Sequence, residues 1–128
     1  MREIFIMFII ILIVLVSSSY IYFYLNKTTN ILVDSLEEIE GFINEKKTNK
    51  EELIKKSDDL YYKWCEINRK WSNIVLHEEI DAIETSLIRL NAKIEEERYD
   101  ETLEEIDTSF FLIKHIMEKE KISVKNIF

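Results

Sequence analysis

Residues 4–25 read IFIMFIIILIVLVSSSYIYFYL and hold no charged side chain over 22 positions. At 1.5 Å per residue, a helix of this length spans about 33 Å, close to the roughly 30 Å hydrocarbon core of a bilayer. The last residues of the stretch are aromatic, of the kind found where lipid meets water: Tyr20, Tyr22, Phe23 and Tyr24. The stretch predicts a transmembrane anchor over residues 1–26.

Two other interpretations of this segment compete with the anchor. A cleaved signal peptide would use Arg2 as its basic start, residues 4–16 as its apolar region and Ser17–Ser19 as its cleavage site. Cleavage there would leave an apolar YIYFYL end on the mature protein, which disfavours it. A buried helix of a soluble protein is rarely this long and this apolar on every face. No Cys follows the apolar run, which excludes a lipoprotein anchor.

The charges that flank the segment specify its orientation only weakly. Arg2 precedes the span and Lys27 follows it, so the positive-inside bias is nearly balanced. The next charged residues, between 34 and 40, are acidic. We expect a single-pass protein of the cell membrane whose C-terminal domain lies outside the cytoplasm.

The composition of the 128 residues favours an all-α fold. Hydrophobic residues make up 47% and charged residues 33%, with one Gly, no Pro and one Cys. These values exclude a low-complexity disordered chain and a disulfide-rich miniprotein. The scarcity of Gly and Pro also argues against β-hairpins, whose tight turns need them.

The part of the chain after the apolar segment is acidic. Residues 26–128 carry 16 basic and 24 acidic side chains, and residues 78–107 alone carry three basic and twelve acidic. Phosphate binding needs a basic surface, so we expect no nucleic-acid partner. An acidic helix face would suit a cationic partner or loosely held divalent ions, or it simply keeps the protein soluble.

Apolar residues recur at steps of three and four through this part, the spacing of coiled-coil and bundle helices. The pattern predicts antiparallel helices near 28–46, 49–71, 77–96 and 100–119, within a bundle domain of residues 27–120. The first of them continues the membrane helix. A phase slip at 72–77 indicates either a helix break or a kink. The predicted helix caps are Thr48 in a capping box with Glu51, then Ser72 or Asn73, then Asp100. Residues 121–128 form a tail that either folds back on the bundle or docks on a partner.

The helical stretches resemble one another in pairs. At an offset of 51, Leu36, Ile39 and Ile43 match Leu87, Leu90 and Ile94. At an offset of 50, Leu53, Leu60 and Ile67 match Leu103, Phe110 and Met117. A duplicated αα-hairpin explains the match, and so does the chance likeness of two amphipathic hairpins of equal length.

Two tryptophans seven residues apart, Trp64 and Trp71, are either core residues or the aromatic lining of an interaction site. Cys65 is interpreted as a buried free thiol, with an intermolecular disulfide as the alternative.

Two histidines lie where the antiparallel pairing of the last two helices brings them to one end of the bundle. His77 would lie opposite residue 120 or so, and His115 opposite residue 82 or so. With Asp81 and Glu84 they could form a metal site or a pH sensor. The dedicated metal motifs are absent, so we expect no metal or other cofactor. Arg89 lies eight residues after Asp81 and could pair with it to set helix register.

No enzyme motif is present. A single Gly cannot build a phosphate-binding loop, and no pairing of nucleophile and base is indicated. We expect a protein that is not an enzyme.

The segment from Trp64 to Ile116 carries a pattern that resembles a known family. Its parts are the two tryptophans, His77-Glu78-Glu79-Ile80-Asp81, Ile83-Glu84, Ser86-Leu87, Arg89-Leu90 and Lys114-His115-Ile116, followed by Asn126-Ile127. The pattern is similar to the bacterial family named domain of unknown function 4363. The resemblance implies a small single-span membrane protein with a helical domain, acting alongside a multi-span membrane protein. It carries no activity with it.

These observations predict a membrane-anchored accessory protein that presents an acidic helical face to a partner, either a multi-span membrane protein or another copy of itself. The alternative is an extracytoplasmic sensor-type bundle that binds a small ligand or a divalent cation.

Overall fold

The computed structural model describes the backbone of residues 1–46 and 49–127, and the side chains of these residues up to Ile122. It consists of four helices: α1 (Arg2–Asn44), α2 (Lys50–Trp71), α3 (His77–Glu95) and α4 (Tyr99–Ile127). No strand occurs in these ranges. The predicted all-α fold and the four predicted helices are confirmed.

The first helix runs without a break from the apolar segment into the bundle. α1 has 43 residues, about 65 Å at 1.5 Å per residue. Among the described residues it is the one helix long and apolar enough to cross a membrane. Apart from the half-buried Leu15, the large apolar side chains from Ile4 to Val16 are 41% to 72% exposed, whereas from Leu25 onward one face of the same helix is buried. The boundary predicted at residue 26 is a change in burial and not a helix end.

The four helices form an antiparallel ring in which each packs against its two neighbours. α1 contacts α2, α2 contacts α3, α3 contacts α4, and α4 closes the ring on α1. The diagonal pairs make no close backbone contact within the described residues. The buried stripes of all four helices meet in one core, with Leu32, Leu53, Leu90 and Ile106 fully buried.

The ring has two ends that differ in what lies beyond them. At the entry end, where α1 enters the bundle near Leu25, lie the C-terminus of α2 and the N-terminus of α3. At the far end lie the turns 45–49 and 96–98. The backbone of residues 121–127, predicted as a separate tail, continues α4 toward the entry end.

The predicted slip at 72–77 is a true helix break. α2 ends at Trp71 and α3 begins at His77, with Ser72 as the C-cap of α2. The N-cap of α3 is Leu76, which makes no side-chain capping bond, so the predicted cap at Ser72 or Asn73 is wrong. Backbone bonds replace it: the N–H of Val75 donates to the carbonyl of Trp71 over 2.7 Å, and that of Glu79 donates to Leu76 over 3.1 Å.

The caps of α2 and α4 also differ from the prediction. Asn49 is the N-cap of α2, and its side chain accepts bonds from the backbone N–H groups of Glu51 and Glu52. The predicted capping residue Thr48 lies outside the described residues. Asp100 is the second residue of α4, inside the helix, where a carboxylate still favours the positive end of the helix dipole.

Every buried position of the second hairpin has a buried counterpart in the first. Adding 51 to six buried positions of α1 gives all six buried positions of α3: Ile80, Ile83, Ser86, Leu87, Leu90 and Ile94. Adding 49 to buried positions of α2 gives all those found in α4: Thr102, Ile106, Ser109, Ile113 and Ile116. The second turn, 96–98, is two residues shorter than the first, 45–49, which accounts for the change of offset.

The predicted offset of 50 between α2 and α4 is therefore wrong by one residue. It aligned the half-buried Leu103, Phe110 and Met117 with the core of α2, whereas Thr102 and Ser109 are the fully buried residues. Their small hydroxyl side chains are absent from a pattern read on apolar residues alone. Gene duplication as the origin of the repeat stays a prediction.

α1 and α3 are each followed by a residue with positive φ that is not glycine. Lys46 has φ 59° and Glu97 has φ 57°, and the two are equivalent under the offset of 51. At Glu97 the turn is a Schellman motif: Glu97 N–H donates to Ile94 and Arg98 N–H to Lys93, over 3.0 and 2.9 Å. Left-handed backbone costs a residue with a Cβ roughly 1 kcal/mol, so each turn stores some strain.

Replacing Glu97 by Gly is expected to raise the free energy of unfolding by about 0.5–1 kcal/mol, because Gly adopts positive φ without a Cβ clash. Denaturant unfolding of the detergent-solubilised chain, followed by circular dichroism, measures the change. Glu96→Gly is the matched control, since Glu96 has φ −80° and Gly there should lower stability. Equal effects of the two substitutions would contradict the argument.

Candidate functional site

The two tryptophans lie in the core. Both indole rings are fully buried and meet edge to face, with centroids 5.8 Å apart and planes at 87°. This geometry is a favoured aromatic packing. Trp64 and Trp71 are therefore core residues, as the first of the two interpretations predicts, and neither ring is accessible as the lining of an interaction site.

The indole N–H groups of the two tryptophans differ in their hydrogen bonding. Trp71 Nε1 donates to Thr28 Oγ1 over 2.9 Å, and that hydroxyl donates in turn to the carbonyl of Tyr24 over 2.9 Å. Trp64 Nε1 is buried without a hydrogen-bond partner. The Trp71–Thr28 bond joins the end of α2 to α1 at the level where α1 enters the bundle.

Small polar residues fill the rest of the core near Trp64. Ser86 and Ser109 are buried and share a hydroxyl bond of 2.7 Å between α3 and α4, and Ser109 also donates to the carbonyl of Glu105. The Lys63–Ser35 bond joins α2 to α1, and the Tyr61–Glu84 bond joins α2 to α3. Together with the Ser86–Ser109 bond, they place these residues of the four helices within about one helical turn of one another along the bundle axis. Serine hydroxyls thus form cross-helix bonds at this level, from Ser35 to α2 and between Ser86 and Ser109.

The histidines and carboxylates proposed for a metal site do not come together. His77 and His115 are exposed, and His115 stacks on Phe111 with ring centroids 5.9 Å apart. Asp81 is exposed, and Glu84 accepts a bond from the Tyr61 hydroxyl over 3.2 Å. Within residues 1–46 and 49–127, no group of three or more His, Cys, Asp or Glu is placed to hold a metal ion.

Arg89 does not pair with Asp81. Residues eight apart on a helix are about 12 Å apart along its axis, beyond the reach of a direct ion pair. Arg89 is exposed, and none of the ion pairs among the described residues includes it. The predicted register-setting pair is wrong. Cross-helix bonds such as Asn91 Nδ2 to Ser57 Oγ, 3.1 Å, link α2 and α3 instead.

Cys65 is exposed on α2, so its prediction as a buried thiol is wrong. It directly follows Trp64 in sequence and therefore points away from the core when Trp64 points into it. The thiol is accessible to reagents.

The ion pairs that join helices lie mostly toward the far end. Lys56 of α2 pairs with Glu38 of α1, and this hydrogen-bonded partner lowers the pKa of Glu38. Lys93 and Arg98 both pair with Glu101, and the hydrogen bond from Lys93 is the main cause of the lowered pKa of Glu101. A carboxylate whose pKa is lowered stabilises the fold above its ordinary pKa and loses that contribution as pH falls through the lowered value. These pairs are solvent-accessible, so each contributes little.

The net charge of the bundle is concentrated in its far half. A plane across the bundle at the Lys63–Ser35 bond separates residues 35–64 and 84–111 from the rest. Among the described side chains, that far half carries 17 acidic and eight basic groups. The entry half, residues 26–34, 65–83 and 112–122, carries seven acidic and six basic groups. The described part of the bundle is therefore nearly neutral where α1 enters and strongly negative at the opposite end.

A groove at the entry end was missed by the sequence reasoning. Residues of α1 (Tyr20, Ile21, Tyr24), Lys70 of α2, and Asn73 and Ile74 of the following turn enclose a volume of about 220 Å³. Lys70 Nζ lies over the Tyr24 ring, 5.3 Å from its centroid. Tyr24 and Lys70 are far apart in sequence, so no local motif could have joined them.

Comparison with protein-family models assigns the chain to one family. The model of the family described as domain of unknown function (DUF4363) matches residues 19–127, so the chain belongs to this family. The matched range covers the whole bundle and leaves out most of the apolar segment. The family resemblance predicted from Trp64–Ile116 is thus confirmed. No curated protein and no solved structure matches the chain.

The two tryptophans provide a matched pair of substitutions. Trp71→Phe removes a satisfied N–H donor, whereas Trp64→Phe removes a buried donor that has no partner. Both remove the same volume from a fully buried site. We expect Trp71→Phe to lower the free energy of unfolding by about 1–3 kcal/mol more than Trp64→Phe. Denaturant titrations of the two variants measure the difference, and equal losses would show that the Trp71–Thr28 bond contributes nothing.

Proposed function

We propose that the protein is a single-pass membrane protein whose bundle is a non-enzymatic interaction module. The main support for this proposal is the uninterrupted helix α1. Its N-terminal part is an exposed apolar segment, and its C-terminal part packs one face into the bundle, with no linker between the two parts. An apolar surface of this extent is stable in lipid and unfavourable in water. The nearly neutral charge of the described part of the entry half suits a position beside the bilayer.

The proposed interaction surface is the acidic far end of the bundle. From Leu25 to Asn44, α1 rises about 30 Å, so a bundle standing on its anchor holds this end well clear of the headgroups. Several far-end carboxylates are exposed and form no ion pair among the described residues: Glu95, Glu97, Asp100 and Glu104. Such a surface suits a partner with a cationic region outside the membrane, and a multi-span membrane protein is the partner we propose.

Cross-linking followed by purification of the intact protein from its native membrane, with quantitative mass spectrometry, tests this surface. The test variant neutralises four exposed far-end carboxylates: Glu95→Gln, Glu97→Gln, Asp100→Asn and Glu104→Gln. We expect it to lose a membrane protein that the wild type retains, because the charge complementarity is removed.

The matched control neutralises four carboxylates of the entry half, namely Asp34→Asn, Glu66→Gln, Glu78→Gln and Glu118→Gln, and should retain the partner. Identical sets of retained proteins for the test variant and the wild type would contradict an acidic interaction surface. Recovery of differently tagged copies of this chain with each other, and of no other membrane protein, would favour self-association in its place.

We propose further that the bundle lies outside the cytoplasm. Cys65 offers a direct measurement, since it is the single cysteine of the chain and is exposed on the bundle. A membrane-impermeant maleimide applied to intact cells is expected to label Cys65, with Cys65→Ser as the unlabelled control. Labelling that appears only after the membrane is permeabilised would place the bundle in the cytoplasm.

A further inference from the structure

The groove at the entry end lies at the depth of a lipid headgroup. Tyr20, Ile21 and Tyr24 belong to the last turns of the apolar segment, and Lys70, Asn73 and Ile74 cover them from the bundle. If residues 4–25 span the bilayer, this side of the groove opens at the boundary between hydrocarbon and headgroups. The inference below therefore rests on the proposed membrane anchoring.

The groove combines an apolar wall with a cation that has no carboxylate partner. Lys70 is held over the Tyr24 ring, and no ion pair or hydrogen bond of its ammonium to a carboxylate occurs among the described residues. Its neighbour Arg69 likewise has none. By contrast, the cross-helix lysines of the far half, Lys56 and Lys93, are both paired with carboxylates. Other cations, such as Arg89, also lack a carboxylate partner among the described residues, but Lys70 differs from them in lining an apolar groove against α1.

We infer that this groove binds one anionic phospholipid of the surrounding leaflet. The phosphate would pair with Lys70, and the Asn73 side chain supplies a further hydrogen-bonding group at the rim. The glycerol would occupy the 220 Å³ between Tyr20, Ile21 and Ile74. The acyl chains would continue along the exposed apolar surface of α1, where Phe23 is 71% exposed and Val16 is 62% exposed.

A neighbouring groove fits the same ligand less well. It is lined by Tyr24, Glu66, Ile67, Arg69 and Lys70 and encloses about 360 Å³. The carboxylate of Glu66 would repel a phosphate there, which favours the groove on the Tyr20 and Asn73 side of Lys70. Charge complementarity thus selects a single site.

The experiment uses the full chain in detergent, titrated with phosphatidylglycerol or phosphatidylcholine, with native mass spectrometry to count retained lipids. We expect one phosphatidylglycerol to be retained in preference to phosphatidylcholine. Lys70→Gln should weaken that binding about fivefold, the factor that corresponds to about 1 kcal/mol for one basic residue near an anionic headgroup. Circular dichroism checks that each variant remains helical.

The matched control is Lys55→Gln, which removes the same charge from an exposed position of the same helix in the far half. Tyr24→Leu is a second test variant, because it removes the ring over which Lys70 is held. Unchanged phosphatidylglycerol binding in Lys70→Gln would overturn the site, and equal retention of the two lipids by the wild type would overturn its anionic preference. Failure of the wild type to float with vesicles of either lipid would instead overturn the membrane anchoring, so the two failures are distinguishable.

Discussion

The structure depends on the continuity of α1 from an exposed apolar segment into a packed bundle. A helix satisfies its own backbone N–H and carbonyl groups, so the same backbone is stable in lipid and in a packed bundle. Only the side chains change, from apolar on every face before Leu25 to one buried stripe after it. The hydroxyl of Thr28 lies at this change and returns one bond to the helix backbone while it accepts another from Trp71. The bundle is thus attached to the apolar segment by helix and by a buried cross-helix bond.

The apolar spacing was sufficient to predict the helices, because their buried stripes recur at three and four residues. Each predicted helix lies within a few residues of the observed one, apart from the C-terminal extension of α4. The apolar spacing did not predict the core positions that are occupied by hydroxyl residues, such as Thr102 and Ser109. Their hydroxyls are satisfied inside the bundle, Thr102 by the carbonyl of Arg98 and Ser109 by Ser86 of α3 and the carbonyl of Glu105. The Ser86–Ser109 bond depends on the packing of two helices, which no single stretch of sequence contains.

The candidate site was predicted less well for a related reason. His77, His115, Asp81 and Glu84 were grouped from the expected pairing of the last two helices, but the structure leaves the histidines and Asp81 exposed and forms no metal-binding group among the described residues. The Lys70–Tyr24 contact joins α2 to α1, so it depends on how the two helices pack and not on a local sequence pattern. Cys65 was predicted to be buried from its residue type alone. It directly follows the buried Trp64 in the helix, and this position directs it toward the surface.

Because α1 is one uninterrupted helix, a change in the direction of its apolar segment also moves the bundle. Membrane helices tilt by about 20° on average to match the thickness of the bilayer. If α1 spans the bilayer as we propose, it continues for roughly 30 Å beyond the span without a break, and a tilt of that size moves the negatively charged end sideways by about 10 Å. In that arrangement, a thinner or thicker bilayer would change the position of this charge in the plane above the membrane without any rearrangement inside the fold.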